Sequence, residues 1–155
     1  MTEILERDVP EQFVLTEQRT VAAPDVKEWL TEAMDRQFGT AQAINGLTGS
    51  WFVVYHGQFT DETPEIPVEV CGPVAPDQAG DLPTRVEPAH REAYLRLKKH
   101  QFTNPSEIAN AFATVAQWVA KQGYTISDAP REVYFTDLMA ADDDEDVCDI
   151  AFPIR

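Results

Sequence analysis

Apolar and polar residues alternate from Gln12 to Ala22, the period-two pattern of a strand with one buried face. The period then lengthens. Val26, Trp29, Leu30, Ala33, Met34 and Phe38 fall on one helical face, entered through Pro24 with Asp25 and Glu28 in the first turn, and Gly39 is expected to stop the helix. A loop rich in Gly, Asn and Thr over 40–50 leads to the aromatic and β-branched strand of residues 51–56. A turn over 58–67 precedes a returning strand over 68–74, and 75–83 reads as a linker. The sequence beyond it opens with 84–88 and an alternating strand at 93–98. Asn104 and Pro105 then start a helix whose buried face is Ile108, Ala111, Phe112, Val115, Trp118 and Val119, with Gly123 as its stop. Strands at 131–135 and 147–154 close the chain around the acidic loop Asp142 to Asp146, and residues 1–11 are expected to be a short tail.

The second series of elements repeats the first. Pro24 recurs as Pro105, Val53-Val54-Tyr55 as Glu132-Val133-Tyr134, and 68–74 as 148–154, at offsets of 81, 79 and 80 residues. An echo of fixed period argues for two copies of one supersecondary unit. Each copy reads strand, helix, strand, strand, so the fold class expected is α+β, a duplicated βαββ unit with pseudo-twofold symmetry. The linker is too short to separate independent domains. Residues 1–155 are therefore expected to be one domain, with repeats at about 12–74 and 84–154, and a ligand is expected at the seam between them.

Composition narrows the function. Among 155 residues, 43% are apolar, which suits a soluble globular chain with a substantial core. No run approaches the apolar length of a membrane span, and residues 1–7 lack a signal-peptide pattern, so a cytoplasmic protein without membrane contact is expected. Cys71 and Cys148 lie in apolar strands and read as reduced, buried thiols. The net charge of −15 disfavours nucleic acid, and the basic residues between Arg85 and Lys99 carry no DNA-reading helix. His56, His90 and His100 have no metal-ligand spacing, and the loop at Asp142 lacks the glycine and terminal glutamate of a calcium-binding hand. No nucleophile elbow, phosphate loop or dinucleotide fingerprint is present, so neither metal nor cofactor is expected.

Four segments carry a family resemblance: Phe52-Val53-Val54-Tyr55-His56-Gly57, Val68-Glu69-Val70-Cys71-Gly72-Pro73-Val74, and Glu132-Val133-Tyr134 followed by residues 148–154. In this order, in a duplicated chain, they resemble the GyrI-like (gyrase-inhibitor-like) effector-binding domain over roughly residues 12–155. That module is the ligand domain of some multidrug-responsive transcription regulators and also occurs alone. The resemblance implies outer helices, antiparallel sheets facing a central groove, and a groove that takes amphipathic, often cationic aromatic molecules with aromatic side chains and a buried glutamate. Only about a dozen residues precede the first strand, so the DNA-binding domain of the regulators is not expected here.

On that basis Glu132 is the groove carboxylate, sharing one strand face with Tyr134 by alternation. A desolvated carboxylate beside aromatics attracts a lipophilic cation strongly, whereas a solvated strand position leaves Glu132 without such a role. Tyr55 is the repeat counterpart of Tyr134, Tyr94 is placed on the neighbouring strand, and Trp51 shares the face of Tyr55 at the mouth. These rings either bind a cation through their quadrupole or simply pack. Val53 is the counterpart of Glu132, so one repeat alone holds the charge. Three functions stay open: binding of a small cationic ligand; hydrolysis of strained electrophilic natural products, with Glu132 activating water and Tyr134 donating a proton; or docking of the acidic surface on a basic protein.

Overall fold

The computed structural model describes residues 3–44, 46–138 and 140–155. Its strands are β1 (Ile4–Val9), β2 (Gln12–Ala22), β3 (Trp51–Tyr55), β4 (Glu65–Pro73), β5 (Thr84–Glu87), β6 (His90–Lys98), β7 (Arg131–Tyr134) and β8 (Asp146–Ile154). Its helices are α1 (Val26–Ala43), the short α2 (Lys99–Phe102) and α3 (Pro105–Lys121). The class is α+β, as the pattern of periods predicts. Among the described residues no helix is long and apolar enough to cross a membrane.

The chain divides into two compact units. The first, Glu11–Pro88, is an antiparallel sheet in the order β3-β4-β2-β5 with α1 against it. The second joins the residues up to Pro10 to Ala89–Arg155, in the order β7-β8-β6-β1, with α3 against β8 and β6. Both units thus repeat one topology, β-α-β-β plus one added strand. The added strand is the surprise. Residues 84–87 pair with β2, not with the repeat that follows them, and Ile4–Val9 pair with β6. The expected tail is therefore an edge strand. Its Glu6, Arg7 and Asp8 look like solvated tail residues, but they face Ala93, Glu92 and Arg91 across the ladder, where opposite charges support pairing.

Helix ends follow local chemistry. Asn104 accepts a hydrogen bond from the Ser106 N–H at 3.0 Å, Pro105 fills the first turn, and Gly123 closes α3 at φ +81°. Gly39, by contrast, does not stop α1, which runs on to Ala43 because Ala41 is buried and the residues around it form helix readily. The turn comes at Gly46, φ +85°, whose N–H reaches the Ala41 carbonyl at 2.6 Å. Each unit keeps its own core. In the second, Ala111, Val115 and Val119 of α3 meet Ala93, Leu95 and Leu97 of β6 and Cys148, Ile150, Phe152 and Ile154 of β8.

Candidate functional site

Residues directly opposite in an antiparallel pair share a face. Glu132 lies opposite Ile150 and Tyr134 opposite Cys148, so the two share a face, as alternation predicts. It is the helix-covered face of the second unit's sheet, and not the face turned away from the helices that the resemblance implies for a groove. Glu132 is only 4% exposed. The Tyr134 hydroxyl donates to its carboxylate, and the Tyr134 ring packs edge-on with Phe102 of α2, centroids 5.5 Å apart. Burial pushes the Cys148 thiol well above its usual range, and the nearby Glu132 charge pushes it further. A carboxylate set among Ile150, Cys148 and two aromatic rings can neutralise a buried cation or, beside a phenol, share a proton with it.

Tyr94 is not part of this group. It lies on β6, which borders β8 and not β7, and opposite Ala151, so its ring occupies the other face of the sheet. There the chain supplies its own cations: the Arg7 guanidinium sits 4.0 Å from the Tyr94 ring centroid and that of Arg96 5.7 Å away. Arg7 also binds Glu92 and Asp149, each at 2.8 Å, and Arg96 reaches Asp149 at 2.8 and 3.0 Å. His90 adds a 2.8 Å contact to Glu92. Burial opposes the charge on Glu92, but the bonds from His90 and Arg7 outweigh it and hold its pKa below the ordinary value.

In the first unit Tyr55 and Trp51 share one face, as alternation predicts, and that face is the helix-covered one, with Val53 fully buried between them. Trp51 meets Phe38 of α1 at 6.0 Å between ring centroids. The opposite face carries a second ionic network. Glu69 accepts from Thr16, from Arg85 Nε at 2.6 Å and from Arg85 Nη2 at 3.1 Å, with His56 Nε2 at 2.9 Å, while Arg85 also pairs with Glu87. Glu69 and Asp149 are repeat counterparts, 80 residues apart, at 4% and 0% exposure. Sequence reasoning passed over both networks. The legible signal was an acidic residue inside an otherwise apolar strand, occurring twice at the repeat offset.

Comparison with known proteins places this architecture. The search of curated proteins gave no match. Among solved structures, the C-terminal domain of EcmrR superposes with a TM-score of 0.77 at 23% identity, covering 100% of this chain and 98% of that one. In a complex of EcmrR with DNA the TM-score is 0.75 at 23% identity, and the match covers 99% of this chain but 57% of the longer one. SAV2435, solved bound to tetraphenylphosphonium, gives 0.62 at 10% identity over 99% and 94% of the two chains. A hydrolase from Listeria innocua gives 0.59 at 10% identity over 99% and 92%. At these identities the likeness is one of fold. The family model described as the GyrI-like small molecule binding domain matches residues 6–155, nearly the whole sequence, and the chain therefore belongs to the GyrI-like family.

Proposed function

We propose that this chain binds amphipathic, cationic aromatic molecules at Glu132, as a cytoplasmic module of multidrug sensing. The observation that carries the proposal is the carboxylate itself: 4% exposed, on the apolar helix-covered face, hydrogen-bonded by Tyr134 and beside the edge-on pair of Tyr134 and Phe102. A negative charge held in apolar surroundings gains most from a cation too lipophilic to lose much hydration, and aromatic faces add to that preference. SAV2435 carries tetraphenylphosphonium in its structure, which makes that cation the natural probe. Calorimetric titration should show saturable binding. Glu132→Gln, which keeps shape and removes charge, should weaken it by about 1–3 kcal/mol, and Tyr134→Phe by less because the ring survives. Equal affinities for wild type and Glu132→Gln would refute the assignment.

A second reading has one observation in its favour. The Tyr134 hydroxyl on the Glu132 carboxylate joins a base to a weak acid, which is what opening a strained electrophile with water requires. If this is the activity, mass spectrometry of an epoxide incubated with the protein should show the diol. Glu132→Gln should abolish that product.

A further inference from the structure

The first unit holds a second pair of polar groups on its helix face, and these are uncharged. Gln37 of α1 is 5% exposed. Its Nε2 donates to the Val70 carbonyl at 2.8 Å, which fixes the amide so that Oε1 turns away from that carbonyl. Oε1 is buried and, among the described residues, accepts no hydrogen bond; the buried Nε1–H of Trp51 likewise has no acceptor. The two atoms converge on Gly72. A Cβ built there would lie 2.8 Å from Trp51 Nε1, 2.9 Å from Gln37 Oε1 and 3.1 Å from the Leu47 side chain. A buried donor and a buried acceptor left unmet each carry the desolvation penalty of a lost hydrogen bond.

The repeat shows what this position means. Val70, which anchors the amide, lies opposite Val53, and its counterpart Ile150 lies opposite Glu132. Where the second unit has Glu132 the first therefore has the apolar Val53, and its polar pair lies two residues further along the strand, over Gly72. The counterpart of Gly72 is Phe152, which packs edge-on against Phe112 at 6.1 Å. Glycine and the polar pair occur together only in the first.

We infer that Gln37 and Trp51 form a neutral binding site in the first unit, which takes an uncharged aromatic ligand bearing a carboxamide or lactam. Such a group accepts from the indole N–H and donates to the amide oxygen at once. Charge is disfavoured, because Gln37, Phe38, Leu47, Trp51 and Gly72 offer it no counterion. Both polar atoms are enclosed, so entry requires the indole to move off Gly72. Phe38, 49% exposed and stacked at a tilt on Trp51, marks the side on which the aromatic body of the ligand would rest.

The test uses the full chain, ¹⁵N-labelled, titrated with benzamide and with methyl benzoate, which lacks the donor. The Trp51 indole N–H signal, assigned by its loss in Trp51→Phe, should shift saturably with benzamide and far less with the ester. Gln37→Leu should weaken benzamide binding about tenfold, or 1.4 kcal/mol. Phe38→Ala, at an exposed position that leaves folding intact, should weaken it severalfold. Tetraphenylphosphonium binding should be unchanged in both variants, and benzamide binding unchanged in Glu132→Gln, so that this site and the Glu132 site stand or fall separately. An indole signal that never responds to benzamide means that water alone meets the pair, and overturns the inference. So does benzamide affinity that ignores Phe38→Ala, or that is lost in Glu132→Gln.

Discussion

Glu69 keeps its charge where burial alone would remove it. Desolvation opposes ionisation, yet hydrogen bonds from Arg85, Thr16 and His56 outweigh that cost and hold its pKa down at about 2. The sign for stability follows. A carboxyl whose pKa is lower in the folded chain than the ordinary 4.5 contributes stability that is complete above 4.5 and is lost as pH falls towards 2. Urea unfolding followed from pH 6 to pH 2 should therefore show a steep acid limb between those values. Arg85→Ala should flatten that limb and destabilise the protein by about 3 kcal/mol at neutral pH, since it removes the cation bonded to both Glu69 and Glu87. Arg85→Lys should fall between, because an ammonium cannot reproduce the fork. A limb unchanged in Arg85→Ala would show that other carboxyls set the acid response. No spacing rule in the sequence joins Arg85 to Glu69. They meet only because β5 pairs with β2 and β2 with β4, a strand order that composition does not encode.

Two glycines show how far an element can be read from its residues. Gly39 and Gly123 look alike in sequence, each closing an apolar helical face, but only Gly123 has positive φ. A Cβ meets nothing within 4 Å at either. Gly123→Ala should therefore cost about 1 kcal/mol through the left-handed conformation alone. Gly39→Ala, inside α1, should raise stability by about 0.5–1 kcal/mol through helix propensity and a less flexible unfolded chain. Equilibrium urea denaturation of the two variants would check both signs, and the same sign in both would remove the distinction. The helices and the inner strands were legible because apolar periodicity and caps are local. β1 and the partner of β5 were not, because an edge strand of mixed charge looks like solvated chain until its partner is known. The site shows the same division. Alternation alone placed Glu132 with Tyr134, and Trp51 with Tyr55. It could not place Tyr94, whose face depends on which strand lies between β6 and β7.

At the scale of the molecule, a net charge of −15 and one buried carboxylate act on a cation in different ways. Surface charge raises the local concentration of cations and the rate of encounter, and salt screens it over about 8–10 Å at ordinary ionic strength. Glu132, 4% exposed, is screened far less. Stopped-flow measurements with a cationic dye should therefore show an association rate that falls severalfold as sodium chloride rises from 0.01 to 0.5 M. The difference in binding free energy between wild type and Glu132→Gln should stay nearly constant over that range. A matched anionic dye should bind more weakly at every salt concentration, and its association should quicken with salt. If the Glu132→Gln difference instead disappears in high salt, the cation is held by the acidic surface, and the buried carboxylate does not select it.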